Sequence, residues 1–306
     1  MPTVRISICI CSCQRPEPLR TALSSLARIQ VPPGTQTTVT VVDNDPARSA
    51  KSVVTGLAES FPLPLSYRLE PRRGIPFARN MCIQEAHKAE ADYLVFIDDD
   101  EWVEADWLLQ LYGYARSVGG TAIISGKVVS QLPPDADPNL SKFFKRKHYK
   151  TGKRRRYCAT NNVLIPTTVT RDQGLRFDEG RPFAGGEDTL FFTEATARGF
   201  SILSCAEAVV YEGIPASRLS LRWLSRRKYT VGITQAVQKE ITGQSRVKII
   251  TSGFAQLVVA LPMSFGFFLL GQKLKCYRSW LKACRSAGII GGVLGAEASF
   301  YRVIDK

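Results

Sequence analysis

Tyr93-Leu94-Val95-Phe96-Ile97-Asp98-Asp99-Asp100 is the stretch that decides the fold. Five bulky apolar residues in a row, without alternation, read as a strand covered on both faces, as strands are in parallel sheets. Three carboxylates follow, beyond the carboxyl end of the strand, where open α/β sheets hold their ligands. Clustered carboxylates repel one another unless something positive sits among them. A divalent metal that also grips a phosphate-bearing substrate would serve, because hard cations take oxygen ligands. Taken alone, the triplet reads equally well as a solvated acidic turn or a helix N-cap.

Strand and helix alternate around this stretch. Ile6 to Cys11, Thr38 to Val42, Leu65 to Leu69 and Ala122 to Val129 read as strands. Pro16 to Ile29, with Leu19, Ala22, Leu23 and Leu26 on one face, reads as a helix. So do Pro46 to Leu57, Phe77 to Ala89 and Ala105 to Ser117. That order predicts an α/β fold with a doubly wound, mostly parallel sheet and helices on both faces. After the Pro133-Pro134 loop come a basic stretch, a strand at Asn162 to Ile165 and the segment Ala184-Gly185-Gly186-Glu187-Asp188. A helix over Thr189 to Arg198 and strands near Ser201 to Ser204 and Ala208 to Tyr211 follow. The expected division is a catalytic domain over residues 1–215 and a basic, helical, membrane-associated region over 216–306.

The 306 residues carry a formal net charge of +14. That balance points to anionic partners: nucleic acid, a membrane surface or phosphorylated substrates. Lys145, Arg146, Lys147, Lys150, Lys153, Arg154 and Arg155 crowd the span from Lys142 to Arg156, with no acid among them. The eight cysteines form no CxxC pair, so reduced thiols rather than zinc are expected. No basic-then-apolar leader precedes the first strand, so the catalytic part is expected to stay in the cytoplasm.

Three acidic stations fall where an α/β sheet gathers its loops: Asp43, Asp98 to Asp100, and Glu187-Asp188. Together they suit group transfer from a nucleotide diphosphate donor. Asp43 would accept a hydrogen bond from base or ribose, and the triplet would hold a metal against the diphosphate. Asp188 would be the general base toward an acceptor hydroxyl. Read alone, Glu187-Asp188 is also what an ordinary helix N-terminus looks like.

Ile6-Ser7-Ile8-Cys9-Ile10-Cys11-Ser12-Cys13-Gln14-Arg15-Pro16, Val41-Val42-Asp43-Asn44-Asp45, Gly74 with Ala78-Arg79-Asn80, the aspartate triplet, and Gly186-Glu187-Asp188 occur in the order and spacing of a known family. Over about the first 215 residues the chain resembles family 2 glycosyltransferases, most closely the bacterial succinoglycan-type exopolysaccharide enzymes. The triplet resembles their DxD motif and Glu187-Asp188 their ED motif. The resemblance implies a GT-A fold, hexosyl transfer with inversion, a nucleotide-sugar donor of the UDP-sugar kind, and Mg or Mn. It places Ser12, Cys13 and Asp43 at the nucleoside, Arg79 and Asn80 near its phosphates or in support of the site, and Asp98 and Asp99 at the donor. Asp98 and Asp100 would face the metal; Asp188 would be the base, with Glu187 orienting base or acceptor. Two positions depart from the pattern. Cys13 stands where an aromatic stack on uracil is usual. Tyr211, in Val209-Val210-Tyr211-Glu212, stands where many relatives carry a metal-ligating histidine. Three readings follow: the metal relies on Asp100, diphosphate and water, the one expected here; Glu212 substitutes; or metal dependence is weak. His87 and His148 lie outside every motif.

Ile249 to Gln272 carries no charge and is long enough to span a bilayer, yet basic residues flank both of its ends. Pro262 invites a kink, and the return segment, Ala287 to Phe300, is short. A re-entrant or interfacial hairpin fits these facts best, with Tyr277 and Trp280 in the headgroup layer. The expected partners are the nucleotide sugar, a polyprenyl-diphosphate-linked saccharide acceptor and an anionic membrane surface, with no nucleic acid. The expected location is the cytoplasmic face of the inner membrane. The competing readings are a non-catalytic membrane- or nucleic-acid-binding protein on a degenerate transferase scaffold, and a nucleotidyltransferase, for which no triphosphate-binding signature is evident.

Overall fold

The computed structural model describes residues 3–180, 182–183 and 185–296. The elements run β1 (Val4–Ser12), α1 (Pro16–Leu26), β2 (Thr35–Asp43), α2 (Lys51–Ala58), β3 (Leu65–Leu69), α3 (Ile75–Lys88), β4 (Tyr93–Asp98), β5 (Glu101–Val103) and α4 (Trp107–Ser117). They continue with β6 (Ile123–Gln131), α5 (Pro138–Ser141), β7 (Arg154–Arg155), β8 (Val163–Pro166), α6 (Glu187–Ala197), β9 (Ile202–Gly213), α7 (Leu221–Ile241), α8 (Arg246–Leu269) and α9 (Lys273–Val293). The strands join in one sheet of order β3-β2-β1-β4-β8-β6-β9-β5, with β7 on the far end of β9. The pairs β3-β2, β2-β1, β1-β4 and β6-β9 are parallel, whereas β8 enters antiparallel between β4 and β6.

Register explains why the acidic stations share an edge. Cys11 lies opposite Asp98, and Ser12 opposite Asp43, so the carboxyl ends of β1, β2 and β4 are level. One face of the sheet is sealed by Leu19, Leu23, Val53, Trp107 and Leu111 from α1, α2 and α4. On the other, α3 and α6 pack Cys82, Ile83, Phe191 and Phe192, with Phe177 stacked on Phe191 at 4.3 Å. Burying side chains of this size is the main source of stability, at about 1.5–3 kcal/mol each.

Three expectations need correction. The helix expected from Pro46 begins only at Lys51, because Asp43 and Asp45 accept from the Ala50 and Ala47 backbone N–H groups and fold residues 45–50 into turns. The two strands expected near Ser201 and Ala208 are one, β9; its register against β6 jumps between Gly126–Cys205 and Lys127–Val209, which leaves residues 206–208 as a bulge. The return arm of the tail starts at Lys273 rather than Ala287, and α8 runs through Pro262 without ending there. The last part of the expected return segment, residues 297–300, lies outside the described residues, as does Ala184.

The tail is a packed helical assembly. Arg246 on α8 donates to the Val293 carbonyl at 2.6 Å, and Trp280 donates to Ser225 of α7 at 2.8 Å. Helices α7 and α9 approach so closely that a Cβ on Gly288 would lie 2.0 Å from the Tyr229 carbonyl oxygen, and one on Gly232 2.1 Å from that of Arg285. Gly288→Ala should therefore destabilise the protein by about 1–3 kcal/mol in denaturant unfolding. Gly266→Ala in α8, which meets nothing within 4 Å, should be neutral or slightly stabilising. Equal unfolding midpoints for the two variants would contradict the close α7–α9 contact.

Candidate active site

Beyond the carboxyl ends of β1 and β4 lies a cavity of 780 Å³. Its floor includes Ser12, Asp98, Asp99 and Asp100, its far wall Glu187 and Asp188, and its roof Trp223, Lys228 and Thr234 of α7. Two acidic stations separated by about ninety residues of sequence thus face one space.

Arginines hold these carboxylates in place. Arg79, on α3, is almost wholly buried and ion-pairs with Glu187. Asp98 and Asp188 also lie within its field. Arg15 reaches Asp99 at 3.3 Å and Asp100 at 3.0 Å. Arg218, where the tail begins, approaches Asp100 at 3.6 Å and Glu212 at 4.0 Å. Arg146, from the basic stretch, also binds Glu212. Ser12 donates to Asp99 at 2.8 Å, tying β1 to β4. Glu101 accepts from the Asp98 backbone at 2.9 Å and from Asn161 at 2.8 Å.

The local backbone explains the placement of Glu187 and Asp188. Gly186 caps α6 with φ 87°, a conformation that favours glycine. A Cβ there would also lie 2.4 Å from Thr234 Cγ2, and the Thr234 hydroxyl donates to the Gly185 carbonyl at 3.2 Å. Both acids occupy the first turn of α6, where the helix dipole favours negative charge. Thr189 fixes one Asp188 oxygen through its backbone at 2.6 Å and its hydroxyl at 3.3 Å.

Several residues singled out in the sequence lie elsewhere. Asp43 is fully buried and does not line the cavity: its carboxylate accepts from Asp45 N at 3.1 Å, Ala50 N at 2.8 Å and Tyr67 Oη at 3.1 Å. Asn80 also sits behind the wall, exchanging hydrogen bonds with the Phe177 backbone and donating to Glu179. Cys13 does line the cavity, but its thiol points to the Asn44 carbonyl at 3.2 Å. Tyr211 stacks on Trp102 at 5.9 Å, and strand alternation turns the next residue, Glu212, into the cavity instead. His87 is hydrogen-bonded to Thr170 at 2.9 Å. The sequence reading missed Arg15, Arg146, Arg218, Glu101 and the α7 wall. Arg15 carried a signal, since it lies in the short turn between the first strand and the first helix; the others needed long-range pairing that composition does not encode.

Burial pushes the Asp98 carboxyl up to about 7 and that of Asp99 to about 6, against the pull of Arg79 and Arg15 respectively. Burial and the adjacent Glu187 also raise Asp188. Between pH about 4 and about 7 the folded state holds a proton on Asp98 that the unfolded chain has released. Its contribution to stability therefore falls as pH rises through that window. Asp98→Asn should raise the melting temperature of the ligand-free protein by about 2–4 °C at pH 8, with the gain shrinking toward pH 4.5. A uniform shift at both pH values would show that the carboxylate is not strained by burial.

A family model described as "Glycosyl transferase family 2" matches residues 7–174. The chain is 32% identical over 318 aligned residues to the succinoglycan biosynthesis protein ExoM of Rhizobium meliloti (strain 1021), covering 96% of this chain and 94% of that one. Among solved structures, the mannosyltransferase PcManGT from Pyrobaculum calidifontis, in complex with GDP-Man and Mn2+, superposes with a TM-score of 0.65 at 18% identity. That match covers 97% of this chain and 89% of the other. TarS residues 1–349 of S. aureus in complex with UDP-GlcNAc gives 0.57 at 15% identity, over 93% and 90%. These likenesses establish the GT-A fold, and the sequence matches establish the family. The chain belongs to glycosyl transferase family 2 and is a glycosyltransferase of the hexosyltransferase type.

Proposed function

We propose that the protein transfers a sugar, with inversion, from a UDP-sugar to a polyprenyl-diphosphate-linked saccharide during exopolysaccharide assembly. The observation that carries this reading is the opposition of Asp98–Asp100 and Glu187–Asp188 across one 780 Å³ cavity. It is supported by the relative named for succinoglycan biosynthesis and by neighbours named as nucleotide-sugar complexes.

In this reading residues 1–215 carry the chemistry, although α7 supplies the acceptor-side wall. Ser12 and Cys13 border the nucleoside end of the cavity, and Asp43 supports it from behind. Arg79 and Asn80 act as supports rather than phosphate ligands, since both are already engaged with protein partners. Asp98, Asp99 and Asp100 face the diphosphate and donor sugar.

The donor set fits a hard divalent cation held largely by substrate. Asp98 and Asp100 offer oxygens, and among the described residues no group of three His, Cys, Asp or Glu is arranged to cage an ion. Mg characteristically binds through one or two carboxylates plus phosphates and water. When bound, Mg or Mn would offset the negative charge developing on the departing diphosphate. Arg15, Arg146 and Arg218 line the same space and would add to that compensation. Asp188, with its proton affinity raised by burial and by Glu187, takes the proton from the acceptor hydroxyl. Glu187, locked to Arg79, holds the first turn of α6 in place.

The tail supports membrane attachment. Among the described residues α8 is the one helix long and apolar enough to cross a bilayer. Phe254, Val258, Phe265, Phe268 and Leu269 are exposed on it, while Gly253, Ala260 and Ser264 face the protein. Arg246 and Lys248 stand at its start and Lys273 and Lys275 just beyond its end, an arrangement that suits a helix lying in an anionic interface at the cytoplasmic face of the inner membrane.

Asp188→Asn should lower sugar transfer to lipid-extracted acceptors by about 100- to 10,000-fold while UDP affinity stays within about twofold. Transfer at the wild-type rate would remove Asp188 as the base. In a flotation assay with vesicles of mixed neutral and anionic phospholipid, the wild-type chain should float. The Phe265→Glu/Phe268→Glu variant should remain largely at the bottom; equal flotation would show that α8 is not the contact.

A further inference from the structure

A second cavity, of 270 Å³, adjoins the first and shares Arg146, Ala159 and Asn161 with it. It opens between β6, β9 and the basic stretch. Lys127, Lys147 and Arg155 line it, and no Asp or Glu does. Whereas Arg15, Arg79, Arg146 and Arg218 of the transfer cavity each meet a carboxylate, these three cations form no ion pair among the described residues. The Arg155 guanidinium instead donates to Ser125 Oγ at 2.9 Å and lies 4.6 Å over the Tyr149 ring. Lys147 Nζ stands 5.2 Å from the same ring. Tyr149 thus gathers two like charges at one rim, where an anion would be drawn to both.

A second observation points the same way. Ser204, on β9 in the cavity wall, is 4% exposed, and its hydroxyl has no hydrogen-bond partner in the structure. Buried polar groups are nearly always satisfied, so an orphan hydroxyl in a cavity wall marks a place for a ligand atom. The space is below the about 300–1,000 Å³ typical of drug-sized sites, which limits the ligand to something compact. Guanidinium, ammonium and hydroxyl donors converging on a small space match the acceptor oxygens of phosphate.

We propose that this cavity is a binding site for a phosphate-class oxyanion, separate from the nucleotide diphosphate site and divided from it by Arg146. The site stands on its own lining; only its use for an acceptor's diphosphate rests on the transfer reaction proposed above. The alternative source is a free inorganic ion.

Titration calorimetry on the full chain, with the donor site saturated by UDP and Mg2+, separates these cases without requiring transfer. Inorganic diphosphate should still bind, and Lys127→Ala and Arg155→Gln together should weaken it at least tenfold. UDP affinity in that variant should stay within twofold. Ser204→Ala, which removes one oxygen and keeps the fold, should weaken diphosphate severalfold and serves if the double variant does not fold. Geranyl diphosphate binding more tightly than inorganic diphosphate, with the same sensitivity to the variants, assigns the site to a prenyl diphosphate. Preference for the inorganic ion assigns it to free phosphate species. Loss of all diphosphate binding once UDP saturates, or equal affinity in wild type and variants, would overturn the proposal.

Discussion

The buried ion pair between Arg79 and Glu187 is the contact on which the cavity depends. It joins α3, packed on the first half of the sheet, to the first turn of α6, which follows the antiparallel strand β8. Asp98 and Asp188 share the field of the same guanidinium. In a setting of low effective dielectric, three carboxylates this close would favour protonation without it. Removing one partner of such a pair costs about 3–5 kcal/mol, because a buried charge is left uncompensated. The pair therefore fixes both the shape of the site and the charge available for chemistry.

Around it, three further segments bring positive charge to the cavity. Arg15 comes from the turn after β1, Arg146 from the basic stretch and Arg218 from the start of the tail. The proposed diphosphate donor would meet guanidinium groups already balanced by carboxylates, so a cation brought with it would exchange partners rather than create charge. The tail takes part in this. Helix α7 presses Thr234 against Gly186, and α9 holds α7 at glycine-backbone distance. Whatever seats the exposed face of α8 thereby sits two helices from Asp188.

Much of this was legible in the sequence, for identifiable reasons. β4 showed because a strand buried on both faces is continuously apolar, and α1 showed because it keeps one apolar stripe. The aspartate triplet and Glu187-Asp188 showed because acids at element ends are conspicuous. Asp43 misled: an aspartate at the end of β2 looks identical whether it faces a ligand or accepts from its own following turn, and the Ala50 and Tyr67 donors are not visible as a pattern. The bulge in β9 split one strand into two apparent ones. The α7–α9 packing was hidden because glycines in helices read as weak points until their partners are known. Arg146 was counted as one charge among several, since nothing local marks it for Glu212.

The central claim is that both acidic stations face one nucleotide-sugar site. Anomalous diffraction from crystals soaked with Mn2+ and UDP tests it most directly. The account predicts one strong manganese peak coordinated by Asp98 or Asp100 together with both phosphates, with the open side of the diphosphate toward Asp188. A nucleotide bound outside this cavity, or a manganese site remote from the aspartate triplet, would contradict it.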